Sequence, residues 1–425
     1  MIFLSTAALH TLYIIKTPTW ERQHDVIGFR NGKGIGQAAL IEYLMENMKF
    51  PDFNPTKRWG FFQPLLHHII AAAMLKINLL RGMNYDKACE CIQILTLIYS
   101  LVFIFYGFRI FRLMGLTGKG LIVSELLLSF HPVLTLLSGS VNNDMLSHMF
   151  LIMAVFYALK WYKEDRLTDL LLTALMVGLS MMSKLSGVLA APAIAFLMLN
   201  KLWGDFKEKK DLPSRIGSYS LFALIVFPLG LFFPLRNLIL FNVPLTYMPK
   251  VGEELTDYTL IQRIFDVRTT TPFACMEKNG NPYDEFNIFL LLIKTGLTGE
   301  YDLSVNSPRV TPFAWVLFIT GVLLFIAVVI LFFYVLLTDR IIKDVPLRIF
   351  FVILIMTGIL FMLRLMFKAP NFSSGDLRYI AWIALPAALL PGLYINSKPG
   401  RGAKLLEVLA LVFAASSAAV YVLLK

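Results

Sequence analysis

Apolar stretches of membrane-spanning length recur from one end of the chain to the other. They lie near residues 1–16, 61–80, 88–111, 120–137, 145–162, 167–183, 187–203, 216–235, 312–337, 348–367, 378–395 and 404–424. A helix of about 20 apolar residues matches the roughly 30 Å hydrocarbon layer of a bilayer. Lipid cannot hydrogen-bond to peptide groups, so runs of this kind must satisfy their own backbone as helices. The expected fold is an all-α polytopic membrane protein forming a single domain over 1–425. Composition agrees, with 57 % hydrophobic and 16 % charged residues.

A formal charge of +11 would suit a nucleic-acid binder. Here, however, the basic residues sit in short loops between apolar runs, where they set orientation, and no nucleic-acid partner is expected. The run 61–80 is the weakest candidate span, because Gln63, His67, His68, Lys76 and Asn78 interrupt it. If it lies outside the bilayer, the loops at 109–119, 160–166, 201–215, 338–348 and 396–404 share one side and hold 17 Lys and Arg. Short connections on the other side hold only Lys184, Arg364, Lys368 and Arg378. The basic side is then cytoplasmic. This predicts about 11 transmembrane helices, with the opening run as a first span that is short at its N-terminal end.

That topology gathers loop 17–87, the turns near Asp144 and Lys184, the long loop 236–311 and the turn 368–378 on the non-cytoplasmic face. Residues 36–48 have apolar positions at helical spacing with Glu42, Glu46 and Asn47 on the polar side, and 61–80 makes a second juxtamembrane helix. Loop 236–311 is too long for a connector and is expected to hold further surface helices around apolar 286–293. Cys89, Cys91 and Cys275 cannot form a disulfide framework. Asn371-Phe-Ser373 has N-glycosylation spacing, with no sign of a compartment that uses it. His10 and His131, within apolar runs, read as buried polar groups with local partners.

Four constellations carry candidate chemistry on that face. Asp25, beside His24, can accept a proton or hold a divalent cation, or it is simply a solvated loop acid. In Asn142-Asn-Asp-Met-Leu-Ser-His148, Asn142 and Asn143 can cap a helix whose first turn carries Asp144, and His148 shares the face of Asp144 one turn on. Lys184, Arg236 and Arg378 lie at helix ends, where they either snorkel to the interface or together clamp a phosphate. His67 and His68 point in different directions on one helix, so one of them at most faces the acids. Glu300 is a further acid on the same side.

In order along nearly the whole chain, Arg22-Gln-His-Asp-Val26, Gln63-Pro-Leu-Leu-His-His68, Ser138-Gly-Ser-Val-Asn-Asn-Asp144, Met182-Ser-Lys-Leu-Ser-Gly187 and Asp376-Leu-Arg-Tyr-Ile380 resemble the dolichyl-phosphate-mannose protein mannosyltransferase family, as a bacterial member within the GT-C superfamily of membrane glycosyltransferases. The resemblance implies a GT-C-type bundle and transfer of a sugar from a polyprenyl-phosphate donor to a hydroxyl acceptor on protein, lipid or glycan. It places the protein in the plasma membrane with its site on the non-cytoplasmic face. By that likeness Asp25 is the acid of the first external loop and candidate base, and Asp144 the acid of the second. Many relatives pair two acids where this chain has His24-Asp25, so no cofactor follows beyond a divalent cation as an open alternative. The competing class is a transporter or flippase of lipid-linked sugars. It is disfavoured because the charges sit at the membrane boundary rather than its midplane, with no half-to-half repeat.

Overall fold

The structure is a computed structural model and describes the chain except for residues 20–28, 30–33, 246, 248–257, 268–270, 275–286, 301, 306, 339–340, 371 and 425. His24, Asp25, Cys275 and Asn371 of the glycosylation spacing therefore lie outside the described residues. In chain order the helices are α1 (Ile2–Lys16), α2 (Gln37–Asn47), α3 (Leu66–Leu80), α4 (Tyr85–Glu90), α5 (Gln93–Leu113), α6 (Gly118–Ser129), α7 (Pro132–Gly139), α8 (Asp144–Glu164) and α9 (Leu167–Ser183). They continue as α10 (Ala191–Lys207), α11 (Leu212–Phe241), α12 (Leu260–Phe265), α13 (Ile288–Thr298), α14 (Thr311–Leu337), α15 (Val345–Lys368), α16 (Ala384–Ser397) and α17 (Arg401–Leu423). Tight 3-10 turns at Leu185–Ala190 and Leu377–Ile383 lead into α10 and α16.

All eleven runs expected to span are helical, but fewer are long enough to cross. Eight are long and apolar enough, or nine if α6 and α7, bent by 44°, count as one span. The expected count of 11 is not confirmed by length among the described residues, since α1 has 15 residues and α9 has 17. At about 1.5 Å per residue α1 is the shorter of the two against the hydrocarbon layer, whereas α9 runs back along α8 far enough to bring Lys184 to Asp144. The α6–α7 bend has a local cause. Pro132 opens α7 and holds His131 in extended geometry, and the His131 ring accepts from the Val133 amide at 3.4 Å.

The bundle is built around α8, whose residues from Asp144 to Trp161 are almost all buried. It packs most extensively on α9, which in turn packs on α11. Small residues bring these helices close, as expected where lipid gives no hydrophobic drive to helix pairing. Ser147 Oγ donates to the Ser180 carbonyl at 3.1 Å, and Ser180 Oγ to the Ser147 carbonyl at 2.8 Å. A Cβ on Gly178 would stand 2.8 Å from Leu229 Cβ, and one on Gly230 2.8 Å from Met181 Sδ.

The pair α2–α3 forms its own apolar cluster, including Leu40, Ile41, Leu44, Ala71 and Leu75. At 15 residues α3 is too short to cross, in keeping with a juxtamembrane helix. Glu42, expected on the polar side, has specific partners there. It is half-buried, receives the Tyr85 hydroxyl, and accepts from the Gly34 amide at 2.6 Å. Helix α13 departs from its expected place. Expected on the surface of the long loop, it buries Ile288, Leu291, Lys294, Thr295 and Leu297 against α7, α14 and the turn Leu377–Ile383. Its mean character is apolar enough that water would exclude most of its faces.

Candidate functional site

Asp144 opens α8 at the end of the tight turn that follows α7. Asn142 rather than Asn143 supplies the side-chain contact there, its Oδ1 accepting from the Asp144 amide at 2.9 Å. Asn143 instead holds neighbouring elements together. Its Nδ2 donates to the Ser183 carbonyl at 2.7 Å and to Gln63 Oε1 at 3.3 Å, and its backbone amide to Gln37 Oε1 at 3.3 Å. One residue thereby ties the Asp144 turn to α2, to the segment before α3 and to the end of α9.

Lys184 terminates α9 in extended geometry, and the following turn folds back so that Gly187 lies on Ser180. A Cβ there would stand 2.3 Å from Ser180 Oγ, which leaves room only for glycine. This return aims the Lys184 ammonium at Asp144, and the two form a close ion pair. The Asp144 side chain is 1 % exposed and that of Lys184 14 %. A carboxylate so removed from water must be compensated by charge and hydrogen bonds, and it is.

Arg378 reaches the same place from the other end of the chain. The turn carrying it is pinned by α13. Thr295 Oγ1 donates to the Gly375 carbonyl at 3.1 Å and accepts from the Leu377 amide at 3.1 Å. Gly375 is pressed against α13 closely enough that a Cβ would meet Leu291 Cδ2 at 2.2 Å. The buried guanidinium lies 3.1 Å from Asp376 and 3.9 Å from Glu300. His148 Nε2 donates to the Arg378 carbonyl at 2.7 Å, so the shared face of Asp144 and His148 is realised. Tyr379 stands between the cations, with Lys184 Nζ 4.6 Å and Arg378 Cζ 5.0 Å from its ring centre.

Arg236 does not join this cluster. It donates to the Pro51 carbonyl at 2.6 Å and lies over the Phe241 ring, at the outer side of the α2–α3 unit. It lies in the last turns of α11, which continues to Phe241. His67 and His68 are both fully buried. The two ring nitrogens of His68 lie 3.2 Å from the Pro64 carbonyl and 3.2 Å from Gln37 Oε1, and a neutral ring donates to one of these, while neither ring nitrogen of His67 has a hydrogen-bond partner among the described residues. Burial pushes His67 down to about 3 and His68 to about 4. Unfolded histidines bind protons below about 6.5 whereas these stay neutral in the fold, so their contribution to stability falls as pH drops from 7 towards 4. The unfolding midpoint should fall between pH 7 and pH 5, and His67→Phe should flatten that dependence; an identical slope would remove His67 as a source.

Gln37 belongs to this site, and Lys294 is a second buried polar residue that the sequence reading does not single out. Gln37, at the start of α2, has no signal in a single sequence. Lys294 is 3 % exposed in an otherwise apolar helix, and a lysine within such a run is itself a signal. A divalent cation fits poorly among the described residues. No three His, Cys, Asp or Glu side chains come together as ligands there, and an ammonium already lies against Asp144.

Beside Arg378 an apolar groove of about 360 Å³ runs along α13, α14, α15 and α16, lined among others by Leu292, Gly296, Leu324, Leu377, Ile380 and Ala387. Leu377 and Ile380, which flank Arg378 in the chain, both line it.

Residues 63–231 match the family described as dolichyl-phosphate-mannose-protein mannosyltransferase, a stretch that includes His67, His68, Asn143, Asp144, His148 and Lys184. No curated protein matches the chain in sequence. Among solved structures the fold is similar to ArnT from Cupriavidus metallidurans in the apo state, with 10 % identity, 99 % of this chain and 75 % of that one covered, and a TM-score of 0.53. It is likewise similar to the Archaeoglobus fulgidus oligosaccharyltransferase in the apo form, with 11 % identity, 99 % and 55 % covered, and a TM-score of 0.52. At such identities the likeness is one of fold. The chain is a multi-pass membrane protein whose fold is similar to those of these two proteins, and its residues 63–231 match the model of the dolichyl-phosphate-mannose-protein mannosyltransferase family.

Proposed function

We propose that the chain transfers a sugar from a polyprenyl-phosphate donor to a hydroxyl acceptor on the non-cytoplasmic face of the plasma membrane. The observation that carries this reading is a buried charged cluster, Asp144, Lys184 and Arg378, the last on a turn whose Leu377 and Ile380 line an apolar groove of about 360 Å³. An isoprenoid phosphate has the same division, an apolar chain ending in an anion. The chain lies in the groove and the phosphate reaches Lys184 and Arg378.

Positive charge held at the phosphate stabilises it as the sugar C1–O bond breaks, and dry surroundings strengthen that effect. Lys184 is held by Asp144 before donor arrives, so the phosphate exchanges for the carboxylate and frees Asp144 to orient the acceptor or sugar. Asp25 takes the proton of the attacking hydroxyl. Attack opposite the departing phosphate inverts the anomeric centre. Arg236, beside Pro51, is left to act on the outer loops rather than on the phosphate.

The test is sugar release by the purified protein in lipid from a panel of polyprenyl-phosphate sugars, with and without chelator, wild type against Asp144→Asn. Release from one donor class that requires Asp144 supports the reading, and loss with chelator would bring a metal back into the mechanism. Movement of the intact lipid between leaflets without release would sink it in favour of a flippase. The groove has its own test. Ala387→Phe narrows it and should raise KM for long-chain donors roughly tenfold, the effect of removing a few methylenes from contact. A donor with one or two isoprene units should be turned over as by wild type; equal loss for both lengths would place the chain elsewhere.

A further inference from the structure

A second cavity lies away from the charged cluster, between the end of α2 and the outward face of α3. It has a volume of about 660 Å³ and is lined by Leu44, Met48, Phe50, Ala73, Lys76 and Leu80 among others. The α3 positions are one helical stripe, Ile69, Ala72, Ala73, Lys76, Ile77 and Leu80, opposite the face that buries His67 and His68. Alanines form its floor and longer apolar side chains its walls. Around it Met48 is 72 % exposed, Ile77 48 % and Leu80 79 %, an apolar patch that water would not favour.

The charged residues lining this cavity are Lys49 and Lys76, and it has no acid. Lys49 shares its charge with Asp52 at 2.7 Å, whereas Lys76 forms no ion pair among the described residues. An apolar slot with an uncompensated ammonium at its rim, on a juxtamembrane helix pair, matches the division of an anionic lipid into acyl chain and phosphate. A long lysine stem lies along apolar surface while its head reaches polar groups at the interface. The cavity also lies within the size range of small-molecule sites.

We propose that this cleft binds one anionic phospholipid of the surrounding bilayer, its acyl chain between α2 and α3 and its phosphate against Lys76. The lipid is a resident of the α2–α3 unit, not the donor. It braces from outside the helices whose inner faces carry Gln37 and His68 to the Asp144 turn.

The protein is reconstituted in bilayers carrying a trace of photoactivatable phosphatidylglycerol or, separately, phosphatidylcholine with the same acyl chain, and labelled peptides are mapped. The expected result is labelling within 44–50 and 69–80 at least threefold stronger with phosphatidylglycerol. Lys76→Glu should bring it down to the phosphatidylcholine level. Ala73→Trp, which fills the slot from its exposed floor, should reduce labelling by both lipids. Unfolding midpoints of both variants serve as the check that the fold persists. Equal labelling by the two lipids in wild type, or labelling unmoved by Lys76→Glu, would overturn the proposal. Neither outcome bears on sugar release, so the two readings fail separately.

Discussion

Lys184→Met is expected to abolish donor turnover and to destabilise the protein by about 3–5 kcal/mol, the usual cost of stranding one member of a buried ion pair. Asp144 is 1 % exposed and cannot recover its hydration when the ammonium is removed. Arg378 remains on the same side but is already engaged with Asp376 and Glu300. The double variant Asp144→Asn, Lys184→Met should regain most of the lost stability, because no bare charge is left behind. It should regain no activity, because the phosphate contact and the carboxylate are both gone. Unfolding midpoints and sugar release measured on the same preparations decide the matter. If the double variant recovers both, the pair is a structural strut and the donor phosphate binds elsewhere.

Asp25→Asn should lower transfer by about 10²–10⁴-fold, the range a positioned general base supplies, while leaving stability and binding of the donor lipid close to wild type. Asparagine keeps the size of the side chain and removes its ability to take the hydroxyl proton. Transfer rate and donor affinity must be read separately, since a loss of affinity would assign Asp25 to binding instead. More than a tenth of wild-type transfer in this variant would end its candidacy as base.

Much of the class was legible because membrane helices advertise themselves by length and hydropathy, and the eleven expected runs are all helical. Their number as full spans was not. Length alone leaves the number open, since α1 and α9 are short although α9 returns along α8 to the Asp144 turn. Asp144 and His148 could be placed on one face from their spacing alone, since residues four apart on a helix are neighbours. Glu42 and α13 show two kinds of detail that one dimension leaves out. The pattern puts a carboxylate on the polar side of an amphipathic helix but does not say that Tyr85 and Gly34 bind it. A helix from a long external loop was assumed superficial, but its apolar faces are buried against α7, α14 and the Arg378 turn.

Local sequence thus determined the helical membrane class, the acid at the start of α8, the lysine at the end of α9 and the arginine after Asp376, because each depends on neighbours within one or two turns. Tertiary structure alone decided which charges meet. Asp144 and Lys184 are 40 residues apart, and His148 finds the Arg378 carbonyl across 230. Those meetings rest on close approach at Ser147, Ser180, Gly187, Thr295 and Gly375. Such small side chains carry almost no hydropathy signal, so the same packing that builds the site is silent in a one-dimensional reading. The like-charged Arg236 shows the converse, since its helix end looks no different in sequence, yet α11 delivers it to Pro51.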